Sequence, residues 1–288
     1  MIAVFRHELS SHFTNLTAYV FGAFLLLFGG IYTMVLNLNN MSVNFEYVLG
    51  NMSFIFLVTV PILTMRVLAE ERRQKTDQLL YSLPLSMTEV VLGKYAAMLV
   101  MLLIPTAILS VYPLILCSFG PIHLPTCFGA LVGFFLLGAA LISIGLFVSS
   151  VTESQAVAAG LCFVVMLINY YINALSGYVA TTAFSSYAAF AVLILILALI
   201  IRLMTRSSSA AVLVGGILEG LLLAAYLLKS TLFEDLFPTM MEELSLFERF
   251  YTFVEGVFDL TAVVYFISVI ALFLFLSVQS MERRRWSE

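Results

Sequence analysis

Charge is scarce in this chain. Only 10% of its 288 residues are Asp, Glu, Lys or Arg, where a soluble domain carries about a quarter. The hydrophobic share is 62% and the mean hydropathy +1.08, an excess that a core cannot absorb and that fits a surface facing lipid. No long polar stretch offers room for a separate soluble domain, so the sequence reads as one membrane domain, 1–288. Three cysteines are present. Cys162 lies in an apolar run; Cys117 and Cys127 bracket the loop SFGPIHLPT, and whether they pair stays open, although nothing else suggests a disulfide-built fold. The net charge of -4 gives no sign of a nucleic-acid partner.

Chemical motifs are missing too. A phosphate loop would need Gly where Thr88 stands and Ser or Thr where Tyr95 stands around Gly93-Lys94. His7 and His12 in HELSSH are five residues apart, about 140° around a helix, so they do not share a face as zinc ligands must. His123 is alone, and no nucleophile set can be assembled. The expectation is a chain with no catalytic site, no metal and no cofactor of its own. The N-terminus lacks the pattern of a cleaved signal. Instead Ile2, Phe5, Leu9, Phe13 and Leu16 recur at three- and four-residue steps with Arg6, Glu8 and Ser10 between them, which predicts an amphipathic helix over 1–15 lying at the membrane interface.

What the chain has is long apolar runs. Eight are near the 20 residues that span a bilayer: 16–36, 47–65, 95–117, 127–148, 156–175, 184–201, 210–228 and 260–278. The sixth is short, so six full spans plus a hairpin over 184–228 is the alternative. With the N-terminus in the cytoplasm, Arg6, Arg66, Arg72, Arg73, Lys75, Lys94, Arg202, Arg206, Arg283, Arg284 and Arg285 fall inside. That is eleven of the 13 cations, with Lys229 and Arg249 outside, as the bias of cytoplasmic loops toward Lys and Arg requires. Both termini are then expected in the cytoplasm. The outer segment 229–259 is acidic, and Leu244, Phe247, Tyr251, Val254 and Phe258 give it one greasy helical face. It reads as a solvated loop, or as a docking surface or gate.

The densest charge lies in AEERRQKTDQLLYSLP, within the inner segment 66–94. The second span should continue as helix through Arg73, since no breaker intervenes. Thr76 can cap a short helix over 76–83, in which Leu79, Leu80 and Leu83 form an apolar ridge. Pro84 ends it. Ser86 and Glu89 have capping-box spacing for the third span, as Thr152 and Gln155 have for the fifth. The leucine ridge needs a cover, either the lipid interface or a groove in a soluble protein.

VPILTMRVLAEERRQKTDQLLYSLPLSMTEVVLGK, GLFVSSVTESQAVAA and FVEGVFDLTAVVYFISVIALFLFLSVQSMERRRW together resemble the ABC-2 type transporter permeases, particularly the gliding-motility-type branch, over most of the chain. The family usually has Gly where Lys75 stands and Glu where Gln78 stands, and the hairpin over 184–228 is additional to its usual six spans. The resemblance implies an all-α polytopic ABC-2 type exporter fold of about eight transmembrane helices in the cell membrane. It implies a permease subunit paired with a second copy or a related permease. ATP and Mg would be bound by a separate cytoplasmic ABC ATPase. A further membrane protein with a large outer domain accompanies some branch members. Carried onto this sequence, the ATPase-coupling residues are Glu70, Glu71, Arg72, Arg73, Thr76, Leu79, Leu80 and Leu83. A smaller contact spans 150–155 and includes Glu153. On this reading the charge cluster faces water and the ATPase.

Glu219, in GILEG, is the one charge within a span. A midspan carboxylate costs roughly 2.5–3.5 kcal/mol on insertion scales. It is either a packing contact between Gly216 and Gly220, which would admit a neighbouring helix, or a polar point in a substrate path. GALVG (129–133) reads as a helix-packing face. An ion-coupled carrier or a channel is the alternative function, but it would need more ionisable or broken-helix sites at the midplane. The cargo is not legible.

Overall fold

A computed structural model of the chain describes residues 1–73, 86–205 and 208–285, and within them every regular element is helical. The N-terminal helix α1 is Ile2–Thr14. The first span joins α2, Thr17–Tyr32, to a π-helical stretch, Thr33–Asn39. The second runs from Glu46 to Arg73 through α3 (Glu46–Met52), a 3-10 turn (Ser53–Ile55), α4 (Phe56–Thr64) and α5 (Ala69–Arg73). The third joins α6 (Met87–Leu109) to α7 (Val111–Leu116). Then come α8 (Leu124–Val151), α9 (Gln155–Ser176), α10 (Ala183–Thr205), α11 (Ser208–Leu228), α12 (Leu236–Glu243), α13 (Leu246–Val254) and α14 (Leu260–Arg285).

Six of these helices or joined helices are long and apolar enough to cross a membrane: 17–39, 46–73, 87–116, 124–151, 155–176 and 260–283. The hairpin α10–α11 adds further apolar helices, and beyond it α11 meets the stretch from Ser230 to Glu243 at a bend of 114°. The chain is a multi-pass membrane protein. Its helices pack into two compact units, Met1–Ile168 with Leu246–Glu288, and Asn169–Ser245.

In the larger unit the second and fourth spans form the centre. For each, 72% of the most apolar stretch is buried, against 22% for the first and the last span. The outer spans instead present Phe24, Leu27, Ile31, Val264, Ile267 and Phe275 outward, which suits lipid. Small residues let the central pair touch. A Cβ on Gly145 would collide with the Thr64 side chain, so α8 and α4 meet there almost backbone to backbone. The GALVG face packs as expected: the Phe253 ring lies over Gly133, 2.8 Å from where a Cβ would stand. Tyr95 Oη donates to Ala139 O at 3.1 Å, tying α6 to α8.

In the smaller unit Tyr187 of α10 stacks on Tyr226 of α11 at 4.9 Å, and Phe190 meets Phe237 at 5.4 Å. Ser176 Oγ donates to Glu242 Oε1 at 2.8 Å, so one outer carboxylate is used structurally.

Several expectations need correction. The second span is not helical straight through to Arg73; residues 65–68 form turns between α4 and α5. The fifth span begins at Gln155 without a Thr152 cap, because Thr152 is the extended C-cap of α8 and its hydroxyl donates back to Val148 O at 3.1 Å. The segment 229–259 holds a 3-10 turn and two short α-helices, and α13 buries Leu246, Phe247, Phe250, Phe253 and Val254. Leu244 and Phe258, expected on the same face, are exposed, because the helix starts only at Leu246 and ends at Val254. Cys117 and Cys127 are free, with Cys127 Sγ donating to Glu46 Oε2 at 3.4 Å.

Candidate coupling site

At one end of the larger unit α1, α5 and α6 converge on Lys94. Ser86 starts α6 as predicted. Its hydroxyl accepts from Glu89 N at 3.2 Å, and the Glu89 carboxylate accepts from Ser86 N at 3.4 Å. Two turns on, Gly93 admits α1: a Cβ there would stand 3.1 Å from Val4 Cβ and 3.2 Å from Met1 O. The N-terminal ammonium adds an exposed contact to Glu89 at 3.6 Å.

Lys94 follows, 1% exposed. Its ammonium has three protons and three acceptors: Glu8 Oε1 of α1 at 2.6 Å, Glu71 Oε1 of α5 at 2.7 Å and Val67 O at 3.1 Å. One acceptor lies on α1 and two at the end of the second span, so one cation ties both to the start of the third. His12, one turn after Glu8, is buried with Nε2 4.0 Å from Glu8 Oε2. Burial lowers its pKa from the usual 6.5, Glu8 opposes this, and Lys94 reinforces it. His7, by contrast, is exposed. Glu8 and His12 thus turn into the protein, while Arg6, His7 and Ser10 of the same helix are exposed.

The end of α8 lies against the same segment. Leu68 N and Ala69 N both donate to Ser149 Oγ at 3.2 Å, and Arg72 Nη1 donates to Thr152 O at 3.3 Å. Ser280 Oγ of α14 donates to Ser150 O at 3.2 Å. The turn between α8 and α9, with Glu153 exposed, is therefore bonded to α5.

Residues 2–286 match the family described as ABC-2 family transporter protein. The chain belongs to the ABC-2 transporter family. A comparison with curated proteins found no match. Family membership makes this chain the permease subunit of an ABC transporter, a membrane component whose family works with an ABC ATPase subunit.

In this ABC-2 permease the four charges of α5 divide. Glu70 faces outward and pairs with Arg66 at 3.9 Å, and Arg73 is exposed. Glu71 and Arg72 turn inward, to Lys94 and Thr152. Of the four expected to face water, Arg73 is exposed and the other three are half-buried. Thr76, Leu79, Leu80 and Leu83 lie outside the described residues. Glu219, in the smaller unit, is half-buried, and its Oε1 is buried without a hydrogen-bond partner among the described residues. Among the described residues nothing stands within 4 Å of a Cβ at Gly216 or Gly220, and it is Gly215 whose Cβ would meet Ala198, at 2.9 Å.

Sequence reasoning missed the Lys94 cluster and Ser149. A signal existed for the first. Glu8 and His12 are four apart and border the apolar face of α1, with His12 about 20° around the helix from Phe5, where a polar pair lies at the edge of a buried surface. None existed for Ser149, one serine among many.

Proposed function

We propose that this permease exports a cargo by pairing with a second permease copy, or a related chain, around a shared path. The segment 76–83 and the outward charges Glu70 and Arg73 engage the cytoplasmic ATPase, and the α8–α9 turn with Glu153 forms a second, smaller contact. ATP and Mg belong to the ATPase. The termini are cytoplasmic, which eleven of the 13 cations favour. The gliding-motility-type branch and an accompanying protein with a large outer domain are part of the same reading.

One observation carries it. The two segments assigned to the ATPase are 80 residues apart in sequence yet bonded to each other, through Arg72 and Thr152. A push on either would be felt by both, and by α1 through Lys94. The test is recovery of the ATPase with the tagged permease. Leu79→Asp with Leu83→Asp should abolish recovery, while Leu228→Asp, on an exposed residue of the other unit, should not. Equal recovery with all three chains would refute the assignment.

A further inference from the structure

The turn at 65–68 has a specific cause. In an unbroken helix Leu68 N would bond to Thr64 O, and Ala69 N to Met65 O. Both amides donate instead to Ser149 Oγ at 3.2 Å, and that hydroxyl lies 3.5 Å from Met65 O, to which it donates. A hydroxyl offers one proton and two lone pairs; here all three are used. Ser149 is fully buried, so no water can replace it, and a side chain inserted into the helical ladder is a known cause of bending. Lys94 completes the opening by taking Val67 O at 3.1 Å. Gly145 stands one turn before Ser149 on the same face of α8. There it lets α8 press against Thr64.

We propose that Ser149, assisted by Lys94, is a positioning residue that wedges the second span open and so sets the direction in which α5 and the chain after it leave the span. The wedge belongs to α8 and the ladder to the second span. A slide of one span along the other withdraws the hydroxyl, closes the Thr64–Leu68 and Met65–Ala69 bonds, and swings α5. The inference rests on the coupling reading above for its purpose, but its geometry stands on the permease alone.

The distance is measured on the full permease in lipid nanodiscs, with exposed Cys117 replaced by Ser and spin labels at Arg73 and Val157, both exposed, and ATPase retention and ATP hydrolysis on label-free chains with their ATPase. A kink of about 20° acting over α5, roughly 7.5 Å long, moves its end by about 3 Å. Ser149→Ala should shift the Arg73–Val157 distance by that amount and reduce ATP hydrolysis by the assembled complex several-fold. Ser149→Thr, which keeps the hydroxyl, should restore both. Should the alanine variant not fold, Ser149→Cys, a much weaker acceptor of similar size, gives the same comparison. A distance identical in the alanine and unaltered chains, or one that threonine fails to restore, overturns the wedge. If the unaltered permease never retains the ATPase, the coupling reading fails, whatever the distance does. If the ATPase is retained and the distance does not move, only the role of Ser149 fails.

Discussion

Two ends of the larger unit, about 24 Å apart along α8 (16 residues at 1.5 Å each), are joined by different forces. At the Lys94 end, α1, α5, α6 and α8 meet through an ammonium, two carboxylates and a serine hydroxyl. At the Phe253 end, α4, α8 and α13 meet through rings: Phe56 on Phe134 at 4.6 Å, Phe134 on Phe250 at 6.0 Å, and Phe253 against Gly133. Rings attract with little regard to direction and tolerate small slides. Charge-assisted hydrogen bonds have short, fixed geometry, and a buried charge left without its partner is costly. The first kind of contact holds helices together. The second tells each helix where to point, as the proposed coupling would require.

The largest test of this contrast is Lys94→Met. It leaves two carboxylates without their cation and should cost about 3–5 kcal/mol, read as a lower unfolding midpoint in detergent. Adding Glu8→Gln and Glu71→Gln should recover much of the loss, because the penalty lies in the unpaired charge rather than in the missing attraction. If the triple variant is no better than the single one, the cluster is not held by charge. Phe250→Ala should cost about 3 kcal/mol from the emptied ring site, yet leave ATPase recovery and its pH dependence as they were. Gly145→Val forces α8 away from Thr64 and should cost about 2 kcal/mol by overpacking; a neutral result would mean the two spans are not pressed together. Ser86→Ala removes the cap of α6 at about 1 kcal/mol, measurable in the same melts.

The smallest effect concerns pH. Burial lowers the His12 pKa below its unfolded 6.5, so between the two values the unfolded chain binds more protons. Stability is then fully present above about pH 6.5 and falls as pH drops through that interval. His12→Gln should flatten this part of a melting-point-against-pH curve without moving the Phe253 end. An unchanged slope would mean that another group carries the acid sensitivity.

The sequence reached a long way toward this fold for a physical reason. In a bilayer each span must satisfy its own backbone, so helices and their lengths are written in local composition. The runs near 16–36, 95–117, 127–148, 156–175 and 260–278 all became helices. The capping box at Ser86 and the glycines of GALVG were equally local and equally legible. The greasy helical face expected from Leu244 to Phe258 was misjudged at its two ends, because the helix there covers only Leu246–Val254. The inward turn of Glu71 and Arg72 could not be read, since charge in a loop-like segment looks the same whether it meets water or a distant lysine.

Local chemistry by itself determined that this chain lives in a membrane, where its helices run, and which family it joins. Only the tertiary structure decided that Glu8, Glu71 and Lys94 meet, and that Ser149 replaces two helical bonds in another span. Periodicity reports what one helix does with its own neighbours. Which hydroxyl fills another helix's gap depends on how α8 lies against the second span, and no window of sequence contains both.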